Sequence, residues 1–228
     1  GEDFNLKKMQ RTKERLDLTG YFNEVKLETS QVKNSDNAIN PDLVDINIAV
    51  DERRTGVIQG QVGYMQDYGV TFGVGAEDRN FMGYGKSLGG NFNYNKVQKG
   101  VDFTYKDPFF TQSGISLDVN SFGYVYDPTK QDDNYQSYKT TKYGTGFTFG
   151  FPINEYDRIY SGLNFEHLKV NTYENAPQQY RKFINEYGDV NGDTGEFSGW
   201  LYKANIGWGR NTTNHAYWPT KGYITNIN

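Results

Sequence analysis

The 228-residue sequence has no cysteine. That absence removes disulfides, thiolate metal sites and cysteine nucleophiles together. Its two histidines, His167 and His215, lie far apart with no ligand spacing around either, so no histidine metal site is expected. No apolar run approaches the ~18 residues of a transmembrane helix, and mean hydropathy is −0.81. A helical membrane protein is thereby excluded. A β-barrel is not, because its lumen-facing positions dilute the hydropathy signal. An excess of positive charge is lacking too. The net charge of −4, a pI near 5.3 and the absence of a basic stripe argue against nucleic acid as a partner. Gly1-Glu2-Asp3 is polar and charged, so no secretory leader is expected there and the sequence reads as a mature chain or an internal fragment.

What the sequence does have is glycine and aromatic residues in alternation. Gly 26 of 228 and 16% aromatics, beside only 6 Pro, fit Gly-containing strands with Tyr/Trp belts better than disorder. Tyr143 to Arg158, YGTGFTFGFPINEYDR, shows the unit. Tyr143, Thr145, Phe147, Phe149 and Phe151 fall on one face of an extended strand, and Gly144, Gly146, Thr148 and Gly150 on the other. Pro152 stops ladder pairing, a polar turn follows, and alternation resumes at Ile159. From Thr55 onward the same unit repeats, around Ile58–Tyr64, Val70–Ala76, Leu88–Tyr94, Val101–Tyr105, Ile115–Val119, Ile159–Phe165 and Trp200–Trp208. Eight strands and part of a ninth, begun at Gly222–Asn228, are expected.

Residues 1–54 read differently. Leu6, Met9, Leu16 and Leu18 sit at roughly helical spacing, with Thr19-Gly20 as a stop. Val25 and Leu27, then Val44, Ile46, Ile48 and Val50, alternate with charged and polar residues as a two-stranded hairpin. A helix plus one hairpin is too small for its own core, so this segment is expected to be the end of a larger α+β module.

The turns FMGYG, DPFFTQSG and FPINEYDR are short, whereas the alternate loops lengthen to about 127–142 and about 167–197. Short turns at one end and long loops at the other are the habit of outer-membrane barrels. A soluble sandwich or carbohydrate-binding barrel is the competing architecture; it should show more turn Pro/Asn and a less uniformly aromatic-aliphatic core face.

Three motif-like strings carry no chemistry. Gly85-Lys86-Ser87-Leu88-Gly89 spells a nucleophile elbow but runs into a strand rather than a helix, without a His/acid pair. As a P-loop it lacks the first glycine, Asn80 standing there. Asp189–Asp193 starts like a calcium loop but has Thr194 and Trp200 at the sixth and twelfth positions. The Asp132-Asp133 pair belongs to a polar loop. No enzyme, cofactor or metal site is expected.

The succession KERLDLTGYFNEV, VDINIAVDERRTG, GAEDRNFMGYG, YKDPFFTQSGISL and GTGFTFGFPINEY resembles the BamA family of outer-membrane β-barrel assembly proteins, in the family's order and over most of the chain. The resemblance implies that residues 1–54 are the later part of the last periplasmic POTRA module. Residues 55–228 would be the first eight strands, and the start of the ninth, of a sixteen-stranded transmembrane antiparallel barrel. The preceding modules, the closing strand and the long sixth loop are absent. It further implies insertion of other barrels into the bacterial outer membrane without ATP, with a seam between first and last strands that opens sideways. Partners would be outer-membrane lipids, nascent barrel clients and, through the POTRA region, Bam lipoproteins. A secretion transporter or pore with the same POTRA-plus-barrel plan is the alternative.

Within that frame the first barrel strand, Gly56, Val57, Ile58, Gln59, Gly60, Gln61, Val62, Gly63 and Tyr64, is the expected edge for pairing client strands. Its glycines have two readings, a weakened strand with accessible backbone or relief of crowding at a seam. Phe72, Phe92, Phe103, Phe147, Phe149, Phe151, Leu163, Trp200 and Trp208 are expected to face lipid.

Overall fold

The computed structural model describes residues 4–33, 39–131, 137–214 and 218–228. His215 and the Asp132-Asp133 pair lie outside the described residues. The chain divides into two compact units, Gly1–Thr55 with Arg210–Thr225, and Gly56–Gly209 with Asn226–Asn228.

The first unit begins with α1 (Leu6–Thr19). Asn5 caps it, its side-chain oxygen accepting from the backbone N–H of Lys7 at 2.9 Å and of Lys8 at 3.3 Å. Gly20 ends it in the left-handed region at φ 69°, where a side chain would be strained, and donates its N–H to the Asp17 carbonyl. The helix packs on β1 (Phe22–Lys33), which pairs antiparallel with β2 (Ile39–Glu52). Val25 is buried at the centre of this packing and sits opposite Val50. The helix stop and the alternation around Val25 are thus where the sequence places them.

The second unit is one antiparallel meander. Its strands are β3 (Gly56–Met65), β4 (Gly69–Asp78), β5 (Ser87–Tyr94), β6 (Gln98–Asp107), β7 (Ser116–Tyr126), β8 (Tyr138–Pro152) and β9 (Asp157–Thr172). After helix α2 (Gln178–Tyr187) come β10 (Asp189–Asn191) and β11 (Thr194–Asn211), and then β12 (Ile224–Ile227). The sheet has ten strands in the order β10-β11-β9-β8-β7-β6-β5-β4-β3, with β12 also paired to β11. Mainly β architecture follows from the sequence period of two.

Two expectations need correction. Strands β8, β9 and β11 run past the point where apolar alternation ends, so the loops expected over about 127–142 and 167–197 shrink to 127–137 and 173–193. In the extra residues the buried side changes: Tyr138, Val170 and Thr172 are buried on the face that carries Gly144 and Gly146, while Lys139, Lys169 and Asn171 occupy the other, and cross-strand ion pairs support the ladder. Lys142 reaches Glu166 at 3.0 Å, Lys203 reaches Glu166 at 2.8 Å, and Lys169 reaches Glu196 at 2.8 Å. The long loop also contains α2 and β10, which were expected as irregular chain. Tyr180, Phe183, Ile184 and Tyr187 recur at helical spacing after Pro177, and Ile184 is buried.

The described residues include few buried apolar side chains, among them Val97, Val170 and Ile184, whereas dozens of large apolar ones stay exposed. A soluble sandwich would cover its apolar sheet face with a second layer. Among the described residues no second layer covers this one.

Candidate functional site

Register shows why the exposed apolar residues share a face. Directly opposed residues of paired strands point the same way. Val62 stands opposite Phe72, which stands opposite Tyr94; Gly60, Val74, Phe92 and Val101 form the next row. Phe103 opposes Gly90, Val119 opposes Phe147 and Phe147 opposes Leu163, while Phe149 opposes Leu117 and Phe151 opposes Ile159. On β11, Trp200 meets Tyr143 edge-on at 6.1 Å, Tyr202 meets Phe165 at 5.9 Å, and Trp208 has the same parity. All nine positions expected to face lipid therefore lie on one face. Leu163 and Trp200 are more than half exposed; Phe149, against Phe110, and Trp208 are half-buried.

The opposite face is polar and crowded. Gly73 lies between Gln61 and Asn93, and Gly75 between Gln59 and Asn91. A Cβ on Gly73 would stand 2.8 Å from both the Asn93 Oδ1 and the Gln61 Nε2. On Gly146 it would strike the carboxamides of Asn120 and Asn164, and on Gly144 the carbonyl oxygen of Phe165. Asn91 Nδ2 donates to Asp102 Oδ2 at 2.9 Å, and Glu166, almost fully buried, sits between Lys142 and Lys203. Sequence reasoning missed this last cluster, whose members become neighbours only through register.

Strand β3 closes the sheet at one end. Its ten residues pair with β4 from Gly56↔Asp78 to Met65↔Gly69, and among the described residues it has no second neighbour. Every β3 residue is exposed. Its glycines are not crowded within this chain. A Cβ on Gly60 would come no nearer than 4.0 Å to the Gly73 carbonyl, on Gly56 3.9 Å to Asp78, and on Gly63 would meet nothing within 4 Å. Beside this edge, a hollow of about 180 Å³ opens among the amides of Gln59, Gln61, Asn91 and Asn93. The edge from Gly56 to Tyr64 thus presents an unpaired backbone with an apolar and an amide-bearing side.

The motif-like strings are structural. Ser87 donates its hydroxyl to the Arg79 carbonyl at 3.2 Å, and Asn80 Oδ1 accepts from Gly85 N at 2.7 Å, so the elbow-like string is a tight turn entering β5. Gly192 and Asp193 form the two-residue turn between β10 and β11, with Gly192 at φ 63°. His167 stacks on Tyr143 at 4.9 Å and meets Trp200 edge-on at 5.1 Å, with Ser198 3.3 Å from its Nε2.

Comparison with known proteins places this geometry. The chain is 40% identical over 225 residues to the outer membrane protein assembly factor BamA of Neisseria meningitidis, covering 99% of the chain and 28% of that protein. It is 30% identical over 175 residues to the BamA of Buchnera aphidicola, covering 76% of the chain and 27% of that relative. The crystal structure of BamA from Haemophilus ducreyi lacking POTRA domains 1–3 superposes with a TM-score of 0.60 at 32% identity, covering 96% of this chain and 41% of that one. The chain therefore spans less than a third of the length of these curated relatives. Residues 80–228 match the model of the Omp85 superfamily domain, and the chain belongs to that superfamily.

Proposed function

We propose that the protein assembles and inserts β-barrel proteins into the bacterial outer membrane, with the free edge of β3 as the template on which a client strand forms. The observation that carries this reading is an exposed ten-residue edge strand, with no second neighbour among the described residues, in a sheet whose apolar face those residues leave uncovered. Outside a membrane such an edge invites aggregation. Inside hydrocarbon, each unpaired N–H or C=O costs several kcal/mol, so the edge itself drives pairing with an incoming strand. Main-chain hydrogen bonds supply affinity with little demand on client sequence, which suits many clients. Neither a nucleophile nor an energy-rich cofactor enters that step. Relatives named outer membrane protein assembly factor support the reading.

In this reading residues 55–228 are the first eight strands and the start of the ninth of a sixteen-stranded barrel. The seam beside β3 opens laterally, and the face bearing Phe72, Phe147 and Trp200 contacts lipid. Residues 1–54 are the end of the last POTRA module, lie in the periplasm and dock partner lipoproteins. Charge reversal at α1 positions such as Arg11 and Glu14 should then weaken co-purification of those lipoproteins; unchanged recovery across the module's surface contradicts the docking role.

The edge is tested by disulfide trapping. Single cysteines placed along Gly56–Tyr64 should crosslink to cysteines in a client's terminal strand during assembly, in a consistent antiparallel or parallel register. Failure along the whole strand, with efficient crosslinking elsewhere, would falsify the templating role.

A further inference from the structure

The apolar face is not evenly filled. One cross-strand row runs Ile58, Ala76, Gly90, Phe103 across β3 to β6, with two small residues between two large ones. The next row, Gly60, Val74, Phe92 and Val101, is filled at its centre. Phe81, from the turn joining β4 to β5, and Leu88 close the other side. The result is an open apolar groove of about 510 Å³ floored by Ala76 and Gly90, within the size range of small-molecule sites.

The fold does not require that groove. Gly90 has no left-handed φ, and a Cβ there would meet only the Asp102 carbonyl oxygen at 3.5 Å, an ordinary contact. A larger side chain at this position would extend the apolar surface, so the empty trough needs another account.

We propose that the groove seats one acyl chain of a membrane phospholipid beside the β3 edge, with its headgroup at the β4–β5 turn. This rests on the reading that the apolar face is embedded in lipid. Three features favour this occupant. The groove is continuous with the apolar face rather than with the polar one. Its walls, Ile58, Leu88, Phe81 and Phe103, offer dispersion contacts to a flexible methylene chain, and the two carboxylates at its margin, Glu77 and Asp78, are already engaged by Arg79 and by the Asn80 N–H. At its turn end, Met82 and Tyr84 are each 74% exposed, and Arg79 and Lys86 flank them. Aromatic and cationic side chains together are what a membrane–water boundary selects. Arg79 reaches Glu77 at 3.5 Å and Lys86 reaches Asp107 at 3.1 Å, with both cations still about half exposed. A lipid phosphate can therefore approach them while the ion pairs persist. A client strand, by contrast, is captured through backbone at the edge and leaves the trough empty.

The test uses the full-length protein reconstituted in phosphatidylethanolamine vesicles doped with phosphatidylethanolamine carrying a diazirine in one acyl chain. After irradiation, labelled peptides are quantified by mass spectrometry. Label on the peptides bearing Phe81, Leu88 and Phe103 should exceed that on the peptide bearing Leu163 and Phe165 several-fold. Gly90→Leu should reduce the groove label several-fold and leave the Leu163 label unchanged. Ala76→Leu fills the same trough from β4 and decides the matter if Gly90→Leu does not fold. Equal label across the apolar face, unaffected by either variant, overturns the groove while leaving the membrane reading intact. Absence of label from the whole face overturns the membrane reading itself. Groove label that is lost when a client's terminal-strand peptide is added would assign the trough to the client instead.

Discussion

Strands β3 and β8 carry three glycines each, Gly56, Gly60 and Gly63 in one and Gly144, Gly146 and Gly150 in the other, and the two sets occupy opposite environments. Those of β8 lie on the polar face between two neighbouring strands, where any Cβ would strike β7 or β9 atoms. Those of β3 stand at the end of the sheet, where among the described residues a Cβ would come no nearer than 3.9 Å to any atom. In β8, glycine makes a tight ladder possible. In β3, it leaves a strand with little side-chain packing of its own and an open backbone edge. The same residue type therefore marks both a crowded and an open part of the sheet, and only the neighbours distinguish them.

Substitutions can break that contrast. Gly144→Ala should have the largest effect, because its Cβ meets the Phe165 carbonyl oxygen and, at 3.0 Å, the Glu166 Cα, and backbone cannot swing aside. A loss of about 3 kcal/mol is expected, at the upper end for overpacking, read as a lower urea midpoint of the folded, heat-modifiable form. Gly146→Ala meets only the carboxamides of Asn120 and Asn164, which can rotate, so about 1 kcal/mol is expected. Pairing it with Asn164→Ser should recover much of that loss; no recovery would mean the crowding lies elsewhere. Glu166→Gln leaves Lys142 and Lys203 facing each other, and since both lysines are partly exposed a loss of about 1 kcal/mol or less is expected. The smallest change in stability belongs to β3. Gly60→Ala should be neutral or stabilising by up to about 0.5 kcal/mol. Its informative readout is client crosslinking, which should fall as the strand stiffens. Equal crosslinking would show that glycine flexibility does not serve templating.

Much of the sheet is legible because one face is apolar and the other small or polar. Phe147, Phe149 and Phe151 declare β8 by parity alone, and Pro152 marks its end. Turn chemistry then leaves the meander as the simplest order. What the sequence hides is what depends on register. Glu166 and Lys203 are 37 residues apart and become partners only when β9 and β11 align. Strand ends beyond the apolar band, as at Tyr138 and Thr172, are buried on the face that is small and polar elsewhere, so they do not continue the apolar stripe. Helix α2 is a different case: its stripe of Tyr180, Phe183, Ile184 and Tyr187 is readable but short, and it sits in a polar connection. The crowding state of each glycine is likewise set by neighbours that no local pattern names.

The account turns on β3 being an open edge that captures strands, and amide hydrogen exchange on the full-length protein in lipid tests this most directly. Backbone amides of Gly56–Met65 should exchange faster than those of β8 and gain protection when a client's terminal-strand peptide is added, while β8 remains protected throughout. Protection of β3 equal to that of β8, unchanged by the peptide, would contradict the templating role.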